Sequence, residues 1–132
     1  MNVIEKYAKQ VQELSLELDL FDPEGDQICP AEGTRRLKEF VQGCKEWFTF
    51  VDHIVCEKII CKHWKDEGFE QLQGVLSFET FYKVKSGEAK VSAFQVVYAN
   101  NGKINYINSF WDLSKFKELM AEHNELKEVF RD

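Results

Sequence analysis

The stretch AKVSAFQVVYANNGKINYINSFWDLSKF, residues 89–116, decides the fold. Two runs rich in β-branched and aromatic residues flank ANNG, a turn sequence of the short hairpin kind, which predicts two antiparallel strands. A fresh helical pattern follows, and Asp112 or Ser114 is predicted to cap that helix. The predicted sheet therefore ends in a hairpin that leads into a helix.

Both faces of the strand at residues 91–98 are largely apolar, although neighbouring side chains of a strand point to opposite faces. A sheet with one face in water alternates more cleanly between apolar and polar residues. Either the sheet curls around an apolar cavity or its second face is buried against another subunit, and both can hold at once. The two parities are Val91, Ala93, Gln95 and Val97 on one side, and Ser92, Phe94, Val96 and Tyr98 on the other.

The first half of the chain carries two helical patterns. Apolar residues at steps of three and four predict a helix within residues 3–18, and a stronger stripe predicts a second helix over residues 37–48 with Thr34 as its N-cap. The segment LFDPEGDQICP between them contains two prolines and a glycine, which predicts a loop.

The middle of the chain reads as β structure. FTFVDHIVCEKIICKHW, residues 48–64, predicts two strands with a tight turn at CEK, and a polar loop, KDEGFEQ, follows it. VLSFETFYKVK, residues 75–85, predicts the next strand, which SGE connects to the strand at residue 89. Two helices, a run of strands and a closing helix are typical of an α+β fold, with helices on one face of an antiparallel sheet.

Composition limits the classes of function. A chain of 132 residues fits a single domain, residues 1–132, and its 14% aromatic content supplies side chains for a core or an apolar cavity. A formal charge of -6 argues against nucleic acid and anionic membranes as partners. The start of the sequence has no continuous apolar run, so we expect a cytoplasmic protein with four reduced cysteines.

The segments GKI and SFWDLSKFKELM, after a strand hairpin, resemble the C-terminal end of the nuclear transport factor 2-like superfamily, which includes ketosteroid isomerase, limonene epoxide hydrolase, scytalone dehydratase and SnoaL-type polyketide cyclases. LFDPEG and TRRLKEF are similar to a loop and helix of ketosteroid isomerase. The matched pieces span roughly residues 20–120. The resemblance implies a cone-shaped α+β fold, with a curved antiparallel sheet wrapped by about three helices, an apolar pocket and usually a homodimer.

The resemblance makes Asp22 a candidate catalytic base, because the isomerases carry a proton-shuttling carboxylate at that position. An apolar pocket would raise the pKa of such a carboxyl towards working pH. The alternative is that Asp22 caps a turn before Pro23. The isomerase's second carboxyl position falls on Phe94, and Tyr7 is a substitute for its helix tyrosine, so isomerisation by the familiar residues is disfavoured.

Comparison with the epoxide hydrolase gives the closest likeness for residues 102–116. The water-activating Asp of that enzyme corresponds to Ser109 here, and a serine cannot take a proton from water at neutral pH. Glu79, on a preceding strand, is a weaker candidate for the family's acid. Asp112 is interpreted as a helix cap.

The segment HIVCEKIICKH offers thiols and imidazoles but lacks the usual two-residue cysteine spacing, so no metal site and no cofactor are predicted. His53 is either a structural residue or a polar anchor in the pocket. Polar groups on the apolar strands either orient a ligand or lie at an interface. The candidate ligand-binding residues are Tyr7, His53, Phe94, Asn108, Ser109 and Trp111.

The sequence thus predicts a domain that binds a small apolar molecule, with isomerase, dehydratase or hydrolase chemistry as an open possibility. The alternative is a non-catalytic dimeric module of the same fold that associates with a protein partner.

Overall fold

The computed structural model describes residues 1–83 and 89–122, and only the backbone of residues 119–122. Within these ranges the chain forms three α-helices and six strands, with short 3-10 turns at Leu18–Leu20 and Phe48–Phe50. The elements in chain order are α1 (Val3–Gln12), β1 (Phe21–Cys29), β2 (Gly33–Arg36), α2 (Leu37–Trp47), β3 (Val51–Asp66), β4 (Phe69–Tyr82), β5 (Ala89–Asn100), β6 (Lys103–Trp111) and α3 (Leu113–Glu122).

The six strands form one sheet in the order β2-β1-β6-β5-β4-β3. The antiparallel run of β4, β5 and β6 confirms the predicted strands, and Asn101 and Gly102 make the predicted hairpin turn, with φ of 48° and 82°. Two consecutive residues with positive φ are typical of a type I′ turn, whose twist suits a hairpin. The fold is the predicted α+β class, but β1 pairs in parallel with β6, so the sheet is mixed rather than wholly antiparallel.

The prediction of a loop at residues 20–30 is wrong, since most of this segment is strand β1. Pro23 is tolerated because the pairing of β1 with β6 is irregular between Phe21 and Asp26, where a missing N–H costs no ladder bond. Gly25 allows the close approach there, because an added Cβ would clash with the Asn105 carbonyl oxygen. The sequence of this segment is typical of a loop because it contains Pro23 and Gly25, which here belong to an irregular strand.

The residues predicted as two strands form the single strand β3, and no turn occurs at CEK. The pairing of β3 with β4 shifts between Cys56 and Lys58, so Glu57 is the extra residue of a bulge. The predicted polar loop shrinks to a two-residue turn, Glu67 and Gly68, both with positive φ. The chain therefore turns at Gly68, after β3, and not at the CEK triplet, which lies within β3.

The helices begin and end for local reasons. Asn2 and Glu5 form a reciprocal capping box at the start of α1, and the helix ends well before residue 18, near Leu14, which has φ of 56°. Thr34 lies in β2 and does not cap α2, whose N-cap position is Arg36. Asp112 does cap α3: its Oδ1 accepts a hydrogen bond from the Lys115 backbone N–H at 3.1 Å.

The two faces of the sheet have different surroundings. We call the face that α1 and α2 cover the inner face, which carries the buried side chains of Leu76, Val97, Ile104 and Ile107. The opposite face is called the outer face. It carries side chains that alternate with the inner ones along β4, β5 and β6, namely Val75, Ser77, Glu79, Phe81, Ser92, Phe94, Val96, Tyr98, Tyr106, Asn108 and Phe110. No helix within the described residues is both long and apolar enough to cross a bilayer.

Candidate functional site

A cavity of about 110 Å³ lies between the helices and the inner face. Near Gly74 the space between α1 and the sheet is filled, since an added Cβ there would meet the Ile4 side chain at 2.9 Å. Farther along the same face the side chains do not meet, and the cavity opens. Its walls include Tyr7, Val11, Gln27, Phe40, Cys44, Trp47, Phe48, Ile54, Phe78, Thr80, Tyr82, Val91, Ala93, Gln95, Ser109, Trp111 and Phe116.

A chain of three buried polar side chains crosses the inner face within this cavity. The Tyr7 hydroxyl of α1 donates to the Gln95 side-chain oxygen of β5 at 2.7 Å. The Gln95 side-chain nitrogen donates to the Ser109 hydroxyl of β6 at 3.0 Å. Gln95 and Ser109 are register partners on adjacent strands, which is why their side chains meet. We call these three residues the polar chain.

Burial keeps the Tyr7, Tyr82 and Cys44 side chains of the cavity wall neutral. It raises the pKa of Tyr7 far above that of a free tyrosine, and raises the pKa of the Cys44 thiol to about 12. Burial likewise raises the pKa of Tyr82, despite the hydrogen bond that its hydroxyl accepts from Trp47 Nε1 at 2.9 Å. At neutral pH these groups therefore serve as hydrogen-bonding groups and not as anions.

Aromatic rings close the end of the cavity towards α3. Phe116 packs against Tyr82 and Trp111, with ring centroids 6.3 and 6.1 Å apart. The Trp111 Nε1 atom is buried and has no hydrogen-bond partner within the part of the chain that the structure describes. The described side chains of this end contribute apolar area and few polar groups.

The charged side chains of the described cavity wall are Arg35, Glu32 and Glu46. Arg35 donates from Nε to Gln27 at 2.8 Å and from Nη1 to Glu32 at 3.1 Å. Its guanidinium lies over the Phe40 ring, 5.5 Å from the centroid, a cation–π arrangement. Glu46 is exposed. The charges of the described wall are thus the 18%-exposed Arg35, which is paired, and the exposed Glu32 and Glu46, while the rest of the wall is apolar apart from a few neutral polar groups.

Three of the predicted ligand-binding residues line the cavity: Tyr7, Ser109 and Trp111. Phe94 and Asn108 lie on the outer face and do not reach it. His53 is also outside it: its ring stacks on Phe81 at 4.2 Å, and its Nδ1 lies 2.7 Å from an Asp52 oxygen. The placement of these last three side chains in the pocket is therefore wrong.

The two candidate catalytic carboxylates do not meet at the cavity. Asp22 is exposed, and its Oδ1 accepts from the Glu24 backbone N–H at 3.1 Å, which is the turn arrangement weighed as the alternative. Glu79 lies on the outer face, where its carboxylate accepts from Ser92 Oγ at 2.8 and 2.9 Å and pairs with Lys90 at 3.8 Å. Neither carboxylate is among the residues that line the cavity.

Sequence reasoning missed Gln27, Thr80 and Arg35, which the structure places in the cavity wall. Gln27 and Arg35 were hidden because their segments read as a loop and a helix start. The signal for Thr80 was available, since it alternates with Phe78 and Tyr82 along β4.

The described cysteines are all free thiols, with Cys29 and Cys44 buried and Cys61 exposed. Along β3, His53, Cys56, Cys61 and His63 are spread over one extended strand. Across residues 1–83 and 89–122, no group of three His, Cys, Asp or Glu side chains is placed to hold a metal ion.

No protein-family model and no curated protein matches the chain. Solved structures do match it over most of its length. A protein from Kribbella flavida is 11% identical, with a TM-score of 0.68, over 93% of this chain and 94% of the other. A nuclear transport factor 2-like protein of unknown function from Cytophaga hutchinsonii is 13% identical, with a TM-score of 0.63, over 83% of this chain and 96% of the other.

An LEH-like epoxide hydrolase from M. tuberculosis is 11% identical to the chain, with a TM-score of 0.63, over 94% of this chain and 91% of the other. At such low identity the likeness concerns the arrangement of helices and strands, not the chemistry of the site. The comparisons therefore confirm the resemblance to the nuclear transport factor 2-like superfamily at the level of fold.

Proposed function

The chain has the nuclear transport factor 2-like fold, and we propose that it is one domain that binds a small, largely apolar molecule in the cavity of its inner face. The observation that carries this proposal is the pairing of an apolar, aromatic wall with the polar chain of Tyr7, Gln95 and Ser109. Binding sites for small molecules are concave and mostly apolar, with a few polar groups that fix orientation.

Binding is favoured over isomerase, dehydratase or hydrolase chemistry by the groups that line the cavity. General-base catalysis needs a group that accepts a proton near neutral pH within reach of the substrate. The carboxylates of the described wall, Glu32 and Glu46, are at the solvent side, and Glu32 is paired with Arg35. The interior offers the hydroxyls of Tyr7 and Ser109. Burial keeps the Tyr7 hydroxyl protonated, and the aliphatic hydroxyl of Ser109 does not ionise at neutral pH.

The test of binding is a titration of the purified protein with methylenecyclohexane, a compact hydrocarbon probe. Trp47 and Trp111 line the cavity, so their fluorescence reports occupancy. We expect saturable binding to the natural sequence and at least tenfold weaker binding to Ala93→Phe, which fills the cavity from β5. Val96→Phe on the outer face of the same strand is the matched control. Equal binding by all three proteins, or none by any, would reject the cavity as the site.

We also propose that the outer face pairs two copies of the chain. Phe94 and Phe110 are register partners there and are 48% and 50% exposed. The centre of the face is apolar and uncharged, with Val96 and Val75 beside them, so two chains of charge -6 meet there without bringing like charges together. Glu79 and Lys90 sit together towards one end and offset each other.

Sedimentation of the natural sequence and two variants tests the dimer. Phe110→Glu puts a charge into the proposed interface and is expected to shift the protein to monomer. Leu18→Glu changes a side chain that is similarly exposed, at 45%, but lies in the turn before β1, and is expected to leave the dimer intact. A monomeric natural protein would contradict the proposal and would favour a different protein as the partner of this face.

Cytoplasmic localisation is part of the proposal. It is supported by the free thiols of Cys29, Cys44, Cys56 and Cys61, because a reducing compartment keeps cysteines unpaired.

A further inference from the structure

We propose that the ligand is uncharged and carries one acceptor oxygen, which receives a hydrogen bond from the polar chain, with Ser109 as the donor. This inference rests on the proposed binding function and specifies the chemical class of the ligand. Ketones, ethers and esters of compact shape belong to the class, whereas carboxylic acids and amines do not.

The direction of the hydrogen bonds leaves one hydroxyl proton of the polar chain unused, in addition to the second amide proton of Gln95 and the Trp111 Nε1–H, which has no partner within the described residues. Tyr7 gives its hydroxyl proton to Gln95, and the Gln95 amide gives a proton to the Ser109 oxygen. Ser109 then keeps its own hydroxyl proton, for which the described residues supply no partner. If the Gln95 amide is turned over, Ser109 donates to Gln95 and the proton of Tyr7 is the unused one. Either orientation of the amide therefore leaves one hydroxyl donor in the cavity.

An unused buried donor is more costly than an unused lone pair, so the natural complement of this site is an acceptor. Ser109 is 2% exposed and lines the cavity, so water reaches its hydroxyl only through the cavity. A ligand that displaces that water must replace its hydrogen bond or lose affinity. An oxygen atom on the ligand, placed against Ser109, does so.

The ligand is uncharged because the described wall offers no free counter-ion. Arg35 is the cation of that wall, and its guanidinium is already bound to Gln27 and Glu32. A carboxylate placed against Ser109 would be buried beside neutral groups, which costs far more than one hydrogen bond returns. An ammonium group placed against the polar chain would likewise meet the neutral oxygens of Tyr7, Ser109 and Gln95.

The wall determines the rest of the molecule. Phe48, Phe78 and Val91 are among the apolar residues of the same wall, and the cavity has a volume of about 110 Å³. A compact ring or short branched chain that presents one oxygen fits this environment better than an extended polar molecule.

Three ring compounds of nearly the same shape test the inference: methylenecyclohexane, cyclohexanone and cyclohexanecarboxylate. The affinities of the first two are measured by tryptophan fluorescence and calorimetry in the natural sequence and in Ser109→Ala. We expect the preference for the ketone over the hydrocarbon to fall roughly tenfold in Ser109→Ala, the effect of losing about one net hydrogen bond. The carboxylate is expected to bind more weakly than the ketone.

Ser92→Ala is the matched control, because Ser92 lies on the outer face of β5 and is hydrogen-bonded to Glu79. It should leave both affinities unchanged. If Ser109→Ala fails to fold, Ser109→Cys keeps the shape with a weaker donor and is expected to lower the preference in the same direction.

The outcomes separate the two proposals. If the hydrocarbon binds and Ser109→Ala weakens hydrocarbon and ketone equally, the inference about the acceptor is overturned while the binding cavity stands. Tighter binding of the carboxylate than of the ketone overturns it as well. If none of the three compounds binds, the cavity itself is rejected and the inference with it.

Discussion

Strand β5 shows how two faces with similar composition acquire different roles. Its inner side chains, Val91 and Val97, are buried under the helices, while Phe94 on the outer face is about half exposed. Both faces are largely apolar, so hydrophobicity alone does not distinguish them. The difference arises from what covers each face: α1 and α2 cover one, and no described element of the same chain covers the other.

The polar groups of the two faces differ in the same way. On the inner face, Gln95 bonds only to Tyr7 and Ser109, away from bulk water. On the outer face, Ser92 bonds to Glu79, which is also paired with Lys90 near solvent. Because buried hydrogen bonds have little competition from water, changes on the inner face should cost more than equivalent changes on the outer face.

The largest expected contrast is between Leu76→Ala and Phe94→Ala. Leu76 is fully buried on the inner face, so its truncation is expected to lower the free energy of unfolding by about 2–5 kcal/mol. Phe94→Ala is expected to cost the monomer less than about 1 kcal/mol, since half of its side chain is already in water. Urea unfolding at protein concentrations below dimerisation measures both values.

The same pair sharpens the assignment of the outer face. Phe94→Ala should weaken dimerisation, whereas Leu76→Ala should leave the dissociation constant of the remaining folded protein nearly unchanged. Equal losses of monomer stability for the two variants would show that the outer face is as enclosed as the inner one.

Tyr7→Phe tests whether the Tyr7 hydroxyl is shielded from water. The variant leaves a buried oxygen of Gln95 without its donor, so we expect a loss of about 1–3 kcal/mol near pH 7. Because burial raises the pKa of Tyr7, the unfolded chain loses this proton at lower pH than the folded protein does. The stabilising contribution of Tyr7 is therefore complete below about pH 10 and declines as the pH rises above it.

The measurement is urea unfolding at about pH 8 and about pH 11, at one protein concentration. The fall in unfolding free energy between the two values should be smaller in Tyr7→Phe than in the natural sequence. Tyr82 and Cys44, whose pKa values burial also raises, retain part of the fall in the variant. An identical fall in both proteins would mean that the Tyr7 hydroxyl is reached by water.

Local patterns in the sequence were sufficient for the second half of the fold. The alternation in β5 and β6, the Asn101–Gly102 turn and the Asp112 cap depend on neighbouring residues, and the structure confirms them. Strand β1 was missed because Pro23 and Gly25 are breakers in most contexts. Here they serve an irregular parallel pairing with a strand some eighty residues away, which local propensity does not register.

Predicting the residues of the candidate site required knowing which face of the sheet each strand residue points to. Tyr7 and Ser109 line the cavity, but Asn108 was named beside Ser109 although neighbours on a strand face opposite sides. The parity of β6 is also shifted by one residue at Asn105, where the pairing with β5 is irregular. A bulge of this kind depends on contacts between strands, so the sequence of β6 alone does not reveal it.

Ser109 and Ser92 give the smallest and most closely matched test of the two faces. Each serine hydroxyl is hydrogen-bonded, and the two serines lie on the adjacent strands β5 and β6, on opposite faces of the sheet. Ser109→Ala is expected to cost about 1 kcal/mol, because Gln95 loses an acceptor but can turn its free amide proton towards water in the cavity. Ser92→Ala is expected to stay within about 0.5 kcal/mol of the natural protein, since water replaces the lost bond to Glu79. Urea unfolding of both variants measures the difference. A larger loss for Ser92 than for Ser109 would mean that the outer face excludes water more effectively than the cavity, which would reverse the roles assigned to the two sides of β5.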